Sequence, residues 1–362
     1  MRLALTAGGT GGHIFPALSV LEAVREQQGD SLDVHFFGPD NRGERGMVEP
    51  RGIAFTAIPS TGIRGRSPLQ VLGGGLRLLR GIAMAVRHLR AYRPDVVFST
   101  GGYASFPCSV AARVLRKPLV VYLPDVKPGW AVRAEQRLAT RLATTTDAAL
   151  AYLPAKKTTV TGYPVRPEFF SMSKASARED LGIAQHARVL LVAGASQGSR
   201  SINGVVLAAL RALLQRATVI HVTGNAGIDE ARAARDALEP ALRERYVVDA
   251  FRNDLPKAMV AADLAIMRAG ASVIGELPAA KLPALLVPGT FAGGHQRDNA
   301  LWLADQGAAE VIEEAQMDVL GPRAMALLDN DERLRAMADA AGSLARPDAA
   351  AAIARMLREV AR

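Results

Sequence analysis

The chain has 362 residues, 49% apolar and 22% charged, a balance that excludes a disordered polypeptide and, at this length, calls for two domains rather than one core. No apolar run is long enough to span a bilayer and the sequence passes straight into a strand pattern, so neither a membrane span nor a signal peptide is expected; a lone Cys108 excludes a disulfide framework and a cysteine metal cluster. The formal charge of +9, from 44 basic and 35 acidic side chains, is arginine-driven and unevenly placed.

The first element is a short apolar strand, Arg2 to Thr6, which runs into four glycines within five positions, then His13 and a helix expected to begin near Pro16. Glycines let backbone N–H groups approach a ligand, and a helix N-terminus adds a positive dipole end, so the turn suits an anionic or polyhydroxylated ligand. It is neither the G-x-G-x-x-G turn of dinucleotide binders nor a P-loop. It delivers one imidazole to the edge of the first strand, as a site group or as a brace of the turn itself.

Further strands are expected at Val34 to Phe37, Ala54 to Ile58, Val96 to Thr100, Leu119 to Tyr122 and Ala143 to Thr145. Helical periodicity fills Leu69 to Tyr92, Ser105 to Leu115 and Gly129 to Leu138. Between Gly62 and Arg93 stand seven arginines, at 64, 66, 77, 80, 87, 90 and 93, interleaved with aliphatic residues and without one acid. Such a segment fits an anionic membrane surface. Nucleic acid is disfavoured because stacking aromatics are nearly absent, and composition alone leaves a solvated arginine-rich face equally open.

After Gly162-Tyr163-Pro164-Val165-Arg166-Pro167 the alternation restarts, with strands expected at Val189 to Ala193, Thr218 to Val222, Tyr246 to Val248, Leu264 to Ile266 and Ala284 to Val287. The chain therefore reads as α/β, with two Rossmann-like, doubly wound domains facing across a cleft. The divisions are an N-terminal domain over 1–163, a C-terminal domain over 164–342, and a final helix over 343–362 packing back on the N-terminal domain. In the second half Gly194 to Arg200 repeats the phosphate logic of the first turn, and Arg166 could add a bidentate cation. Glu276 could accept ribose hydroxyls or simply favour a helix N-terminus. His295, Gln296 and Asn299 suit sugar hydroxyls or a polar helix start. Asp329-Asn330-Asp331 reads as a helix cap, so neither metal nor cofactor is expected.

Eight segments in order carry a family resemblance: GGTGGHIFP at 8–16, STGGYASFP at 99–107, GYPVR at 162–166, GASQGSRSIN at 194–203, RAGASVIGE at 268–276, LPALLVP at 282–288, HQRDNA at 295–300 and ARPDAA at 345–350. The chain resembles the MurG family, membrane-associated N-acetylglucosaminyltransferases of bacterial peptidoglycan assembly with the GT-B fold. The resemblance implies inverting, metal-independent transfer of N-acetylglucosamine from UDP-N-acetylglucosamine to undecaprenyl-pyrophosphoryl-N-acetylmuramoyl-pentapeptide. It implies an N-terminal domain that takes acceptor and membrane, and a C-terminal domain that takes the UDP-sugar. Thr10, Gly11, Gly12 and His13 would border the transfer point, and Gly101, Gly102 and Tyr103 the acceptor diphosphate. Ser196, Gln197 and Gly198 would meet the donor diphosphate with Arg166. Backbone near Phe251 and Arg252 would hold uracil, and Glu276 the ribose, on the loop of Gly270, Ala271 and Ser272. Gln296, with His295 and Asn299, would contact the sugar. The basic segment would sit on the membrane's cytoplasmic face, with the protein peripheral and no nucleic acid bound.

One segment departs from the family. Where many members carry His-Glu-Gln-Asn before a Pro-Gly pair, this chain has Tyr122-Leu123-Pro124-Asp125-Val126-Lys127-Pro128-Gly129. Aspartate accepts hydrogen bonds but cannot donate them, so Asp125 bears on donor-sugar choice and joins His13 as a candidate base. A related enzyme with another lipid acceptor or donor sugar is the alternative activity. A non-enzymatic nucleotide-sugar sensor or nucleic-acid binder is the alternative class.

Overall fold

The structure is a computed structural model describing residues 1–8, 11–41, 43–60, 68–194, 198–289 and 294–361, with backbone alone at 11, 30 and 68–73. They form two compact units, Met1–Arg166 with Asp348–Arg362, and Pro167–Pro347. The first unit holds β1 (Arg2–Thr6), β2 (Asp33–Gly38), β3 (Ala54–Ala57), β4 (Val96–Ser99), β5 (Leu119–Leu123), β6 (Arg141–Thr144) and β7 (Thr158–Val160). Its sheet has the order β3-β2-β1-β4-β5-β6-β7, parallel throughout. The second unit holds β8 (Val189–Ala193), β9 (Thr218–Val222), β10 (Tyr246–Asp249), β11 (Leu264–Met267), β12 (Ala284–Leu286) and β13 (Ala309–Val311). Its order, β10-β9-β8-β11-β12-β13, is again parallel.

Central strands such as LVVYL and VLLVA are buried along their whole length, because helices cover both faces of a parallel sheet. In each unit strand order reverses beside the first strand, between β1 and β4 and between β8 and β11. Crevices at the carboxyl ends of such strand pairs are where open α/β sheets take ligands.

Three differences from the sequence expectation have physical causes. The strands β7 and β13 were not expected; each is short, lies at a sheet edge and carries polar residues, so no continuous apolar run marks it. The first helix spans Gly11–Gln28 and contains Pro16, rather than starting there. Proline has no N–H to give the carbonyl four residues back, and the Tyr163 hydroxyl donates to that Gly12 carbonyl instead, at 3.1 Å. The units divide at Arg166/Pro167 and Pro347/Asp348, not after 163 and 342. The 161–166 stretch is fastened to the first unit through Thr161 N–H to the Thr144 carbonyl, Tyr163 to Gly12, and the Arg166 guanidinium 5.4 Å from the Phe15 ring centre.

The helix Ala349–Ala361 buries Ile353, Ala354 and Leu357 and packs against Gly11–Gln28 within the first unit. Helix Pro68–Tyr92 turns Ala85 and Leu89 inward and exposes Leu76, Arg77, Leu79, Arg80, Arg87 and Arg90. Residues 62–67 of the basic segment lie outside the described residues. Among the described residues no helix is long and apolar enough to cross a membrane.

Candidate active site

In the first unit, the loops after β1 and β4 meet at the strand reversal. His13 stands in the first turn of helix Gly11–Gln28, half-buried, with Nδ1 2.9 Å from the Thr100 carbonyl oxygen. Thr100 Oγ1 donates back to the His13 carbonyl at 2.8 Å. A carbonyl only accepts, so in the neutral ring Nδ1 carries the hydrogen and Nε2 presents its lone pair. Facing it is Gly102, where an added Cβ would lie 3.8 Å from His13 Cε1 and Nε2. Both Gly101 (φ +78°) and Gly102 (φ +93°) adopt the left-handed conformation, and a Cβ on Gly101 would come within 2.7 Å of Val132. Glycine is required at both, which brings backbone up to the imidazole. Tyr103 follows, half-buried. Thr10 lies outside the described residues and Gly11 is described by its backbone alone.

Asp125 is half-buried in the loop after β5. The fully buried Tyr122 supports that loop: its hydroxyl lies 2.6 Å from Thr145 Oγ1, which donates to the Pro124 carbonyl at 2.8 Å. Leu123, aligned with the family's glutamate, is a core residue at the end of β5 and brings no polar group.

In the second unit, Gly194 and Gly198 are forced by close approach. A Cβ on Gly194 would be 2.3 Å from Ser199 N, and one on Gly198 (φ +77°) 1.9 Å from the Thr223 carbonyl oxygen. Ser199 caps helix Arg200–Ala208, accepting from Ile202 N–H. Ser196 and Gln197 lie outside the described residues.

Arg268, the first residue after β11, was not singled out from sequence as a site group. It is 8% exposed, and its Nη2 donates to Ser199 Oγ at 2.8 Å and Ser201 Oγ at 3.0 Å. Nη1 donates to the Val287 carbonyl at 3.1 Å, and Glu314 pairs with the guanidinium. One buried cation thus joins the loops that follow β8, β11 and β12, with its charge balanced by Glu314.

Beyond Arg268, Gly270, Ala271 and Ser272 are half-buried, with open space beside Gly270, and Glu276 occupies the first turn of helix Val273–Ala280. Asn299, expected at the sugar, is fully buried and donates to the Ala269 carbonyl at 3.2 Å, which makes it a brace of this loop. Gln296 Oε1 accepts from Gly289 N–H at 2.8 Å, while His295 Nδ1 is buried with no hydrogen-bond partner among the described residues. Arg252 is clamped by Asp249 at 2.7 Å and Asp254 at 2.8 Å, leaving the neighbouring Phe251 ring 61% exposed. Arg166, expected with the donor phosphates of the C-terminal domain, belongs to the first unit over Phe15.

Glu135 is the second group that sequence did not single out. It is completely buried, with the hydroxyls of Ser99, Ser105 and Ser109 around its carboxylate. The available signal was an acid on the stripe Ala131, Val132 and Glu135, whose other members are apolar. Among the described residues no group of three or more His, Cys, Asp or Glu could hold a metal. Asp329 pairs with Arg216 and Asp331 with Arg188, and Asn330 caps helix Asp331–Ser343.

Residues 3–144 match the Glycosyltransferase family 28 N-terminal domain, and residues 189–353 its C-terminal domain. Two parallel α/β units with glycine loops at their strand reversals, carrying these two domains, define a glycosyltransferase of the GT-B class. The UDP-N-acetylglucosamine–N-acetylmuramyl-(pentapeptide) pyrophosphoryl-undecaprenol N-acetylglucosamine transferase of Desulforudis audaxviator is 37% identical over 370 residues, 100% of this chain and 99% of the relative. That of Symbiobacterium thermophilum is 35% identical over 367 residues, 100% and 97% of the two chains. The crystal structure of Acinetobacter baumannii MurG superposes with a TM-score of 0.78 at 25% identity, covering 99% of each chain. The chain belongs to this MurG family of N-acetylglucosaminyltransferases.

Proposed function

We propose that the enzyme transfers N-acetylglucosamine from UDP-N-acetylglucosamine to a hydroxyl of undecaprenyl-pyrophosphoryl-N-acetylmuramoyl-pentapeptide, with inversion at the anomeric carbon. The observation that carries the reading is the His13 imidazole, whose Nδ1–H is held by the Thr100 carbonyl so that Nε2 is the base nitrogen, 3.8 Å from the Cβ position of Gly102. Nε2 takes the acceptor hydroxyl proton as the oxygen forms its bond to the anomeric carbon. The bond from that carbon to the β-phosphate oxygen breaks with its electron pair, and UDP leaves as the anion.

Stabilising that anion falls to Gly198 and the N-terminus of helix Arg200–Ala208, where the first-turn N–H groups and the helix dipole favour an anion. Arg268 ties down that N-terminus through Ser199 and Ser201. Glu276 serves the ribose, the backbone at Phe251 and Arg252 the uracil, and Gln296 and His295 the sugar. Exposed Leu76, Leu79, Arg77, Arg80 and Arg87 suit an anionic lipid surface, where the acceptor's polyprenyl chain resides, and support a peripheral location on the membrane's cytoplasmic face.

A second reading rests on Asp125 and the buried Leu123, which change the family's polar segment and admit a different donor sugar or lipid acceptor. A turnover assay with UDP-N-acetylglucosamine and the muramoyl lipid, run beside other UDP-sugars and polyprenyl acceptors, separates the two. Release of UDP with formation of the disaccharide lipid supports the first reading. Turnover only with another donor or acceptor supports the second.

A further inference from the structure

We propose, resting on the transferase reading above, that Glu135 is the positioning residue of the acceptor-side loop: its carboxylate gathers three serine hydroxyls and through them fixes the backbone of Gly101 and Gly102 against His13. Glu135 stands on helix Trp130–Leu138 beneath that loop and touches neither substrate nor the reacting atoms in this scheme. Ser109 Oγ lies 2.8 Å from Glu135 Oε1, Ser105 Oγ 2.9 Å from the same oxygen, and Ser99 Oγ 3.3 Å from it. Among the described residues no cation pairs with this carboxylate, so the hydroxyls are its solvation.

The hydroxyl hydrogens make the arrangement directional. Ser99 receives the Gly101 N–H at 3.1 Å, and it can turn its lone pair to that amide because its own hydrogen points at Glu135. Ser105 has one hydroxyl hydrogen, with the Gly102 carbonyl oxygen and Glu135 Oε1 both at 2.9 Å. An ionised Glu135 draws that hydrogen to itself. A protonated Glu135 donates a hydrogen of its own and so reverses one serine; where that is Ser105 its hydrogen returns to Gly102, and where it is Ser109 the Ser105 carbonyl at 3.3 Å receives it. The charge on Glu135 therefore selects how the loop backbone is held, and the Gly102 end of that backbone faces His13.

Burial pushes the Glu135 carboxyl up to about 7, with the three serines pulling it back. On the helix packed against it, Phe106–Val114, the facing titratable group is Cys108, whose thiol is pushed up to about 12 chiefly by burial. Tyr122 from β5 is held above its ordinary range by burial and turns its hydroxyl to Thr145. Arg133 and Arg137, on Glu135's own helix, are exposed.

The test compares wild type with Glu135→Gln, and with Ser105→Ala in case the first variant fails to fold. Measured are kcat and both KM values from acid to alkaline pH, and amide hydrogen exchange of Gly101 and Gly102 in the absence of substrates. Each variant is expected to lower kcat about tenfold to a hundredfold, the usual effect of misplacing a reacting group, with KM for UDP-N-acetylglucosamine unchanged. The acid limb of log kcat should be shallower by about one proton in Glu135→Gln than in wild type. Adding Glu135→Gln to His13→Ala should lower kcat no further. Faster exchange at Gly101 and Gly102 is expected in the variants. A folded Glu135→Gln with wild-type kcat, the wild-type acid limb and unaltered exchange overturns the proposal. If wild type transfers no N-acetylglucosamine, the transferase reading fails, and the exchange measurement alone then decides the role of Glu135.

Discussion

Replacing Glu135 by glutamine should slow the enzyme and also stabilise its first unit above neutral pH. The carboxyl is pushed from 4.5 up to about 7 by burial, so between these values the folded chain holds a proton that the unfolded chain has released. Stability from this group is therefore complete below about pH 4.5 and is lost as pH rises through about 7. At 1.36 kcal/mol per pH unit, the loss in wild type amounts to about 3 kcal/mol once the group is ionised in both states. Glutamine fills the same space and does not titrate. Thermal unfolding of both proteins across this range should show the variant gaining on wild type as pH rises, by roughly 2–4 °C in Tm per kcal/mol for a unit of this size. A Tm difference independent of pH would refute the argument, because it would mean that the buried carboxyl does not change its charge. Higher stability with lower kcat is the signature of a buried charge kept for activity.

Arg268→Met leaves Glu314 without its buried partner and frees the three loops that the guanidinium joins, so UDP affinity by calorimetry should fall, together with roughly 3–5 kcal/mol of stability; unchanged UDP binding would remove Arg268 from the site. Glutamine at Arg77, Arg80, Arg87 and Arg90 should weaken binding to anionic vesicles by about 1 kcal/mol for each arginine that reaches the surface, while sparing turnover of a short soluble acceptor. Vesicle binding that survives all four changes would make the helix a solvated face. Asp125→Asn restores the family residue: retained kcat would make the position a hydrogen-bonding one, and a loss beyond a hundredfold would make the carboxylate itself chemical.

What could be read from sequence is what a single residue type forces locally. Gly101, Gly102 and Gly198 sit at positive φ, and Gly194 where any side chain would strike backbone, so their pattern marks the loops directly. Strands buried on both faces announce themselves as apolar runs, which the polar edge strands β7 and β13 do not. The start of the first helix was hidden because Pro16 resembles a first-turn proline, and only the fold shows Tyr163 supplying the hydrogen bond that Pro16 lacks. Arg268 and Glu135 escaped for a related reason: their partners come from separate segments of the chain, brought together by the crossovers of the sheets. Asn299 shows the converse, a polar residue in a family segment that is turned into the core.

The central claim is that His13 Nε2 is the base that receives the acceptor proton, and kcat and KM against pH for wild type and His13→Ala test it most directly. Alanine should reduce kcat about a hundredfold to ten-thousandfold with KM for UDP-N-acetylglucosamine little changed, and should remove one proton from the acid limb. A His13→Ala enzyme with near-normal kcat, a raised KM and the wild-type acid limb would contradict the account, leaving the imidazole as a brace of the glycine turn and moving the search for the base to Asp125.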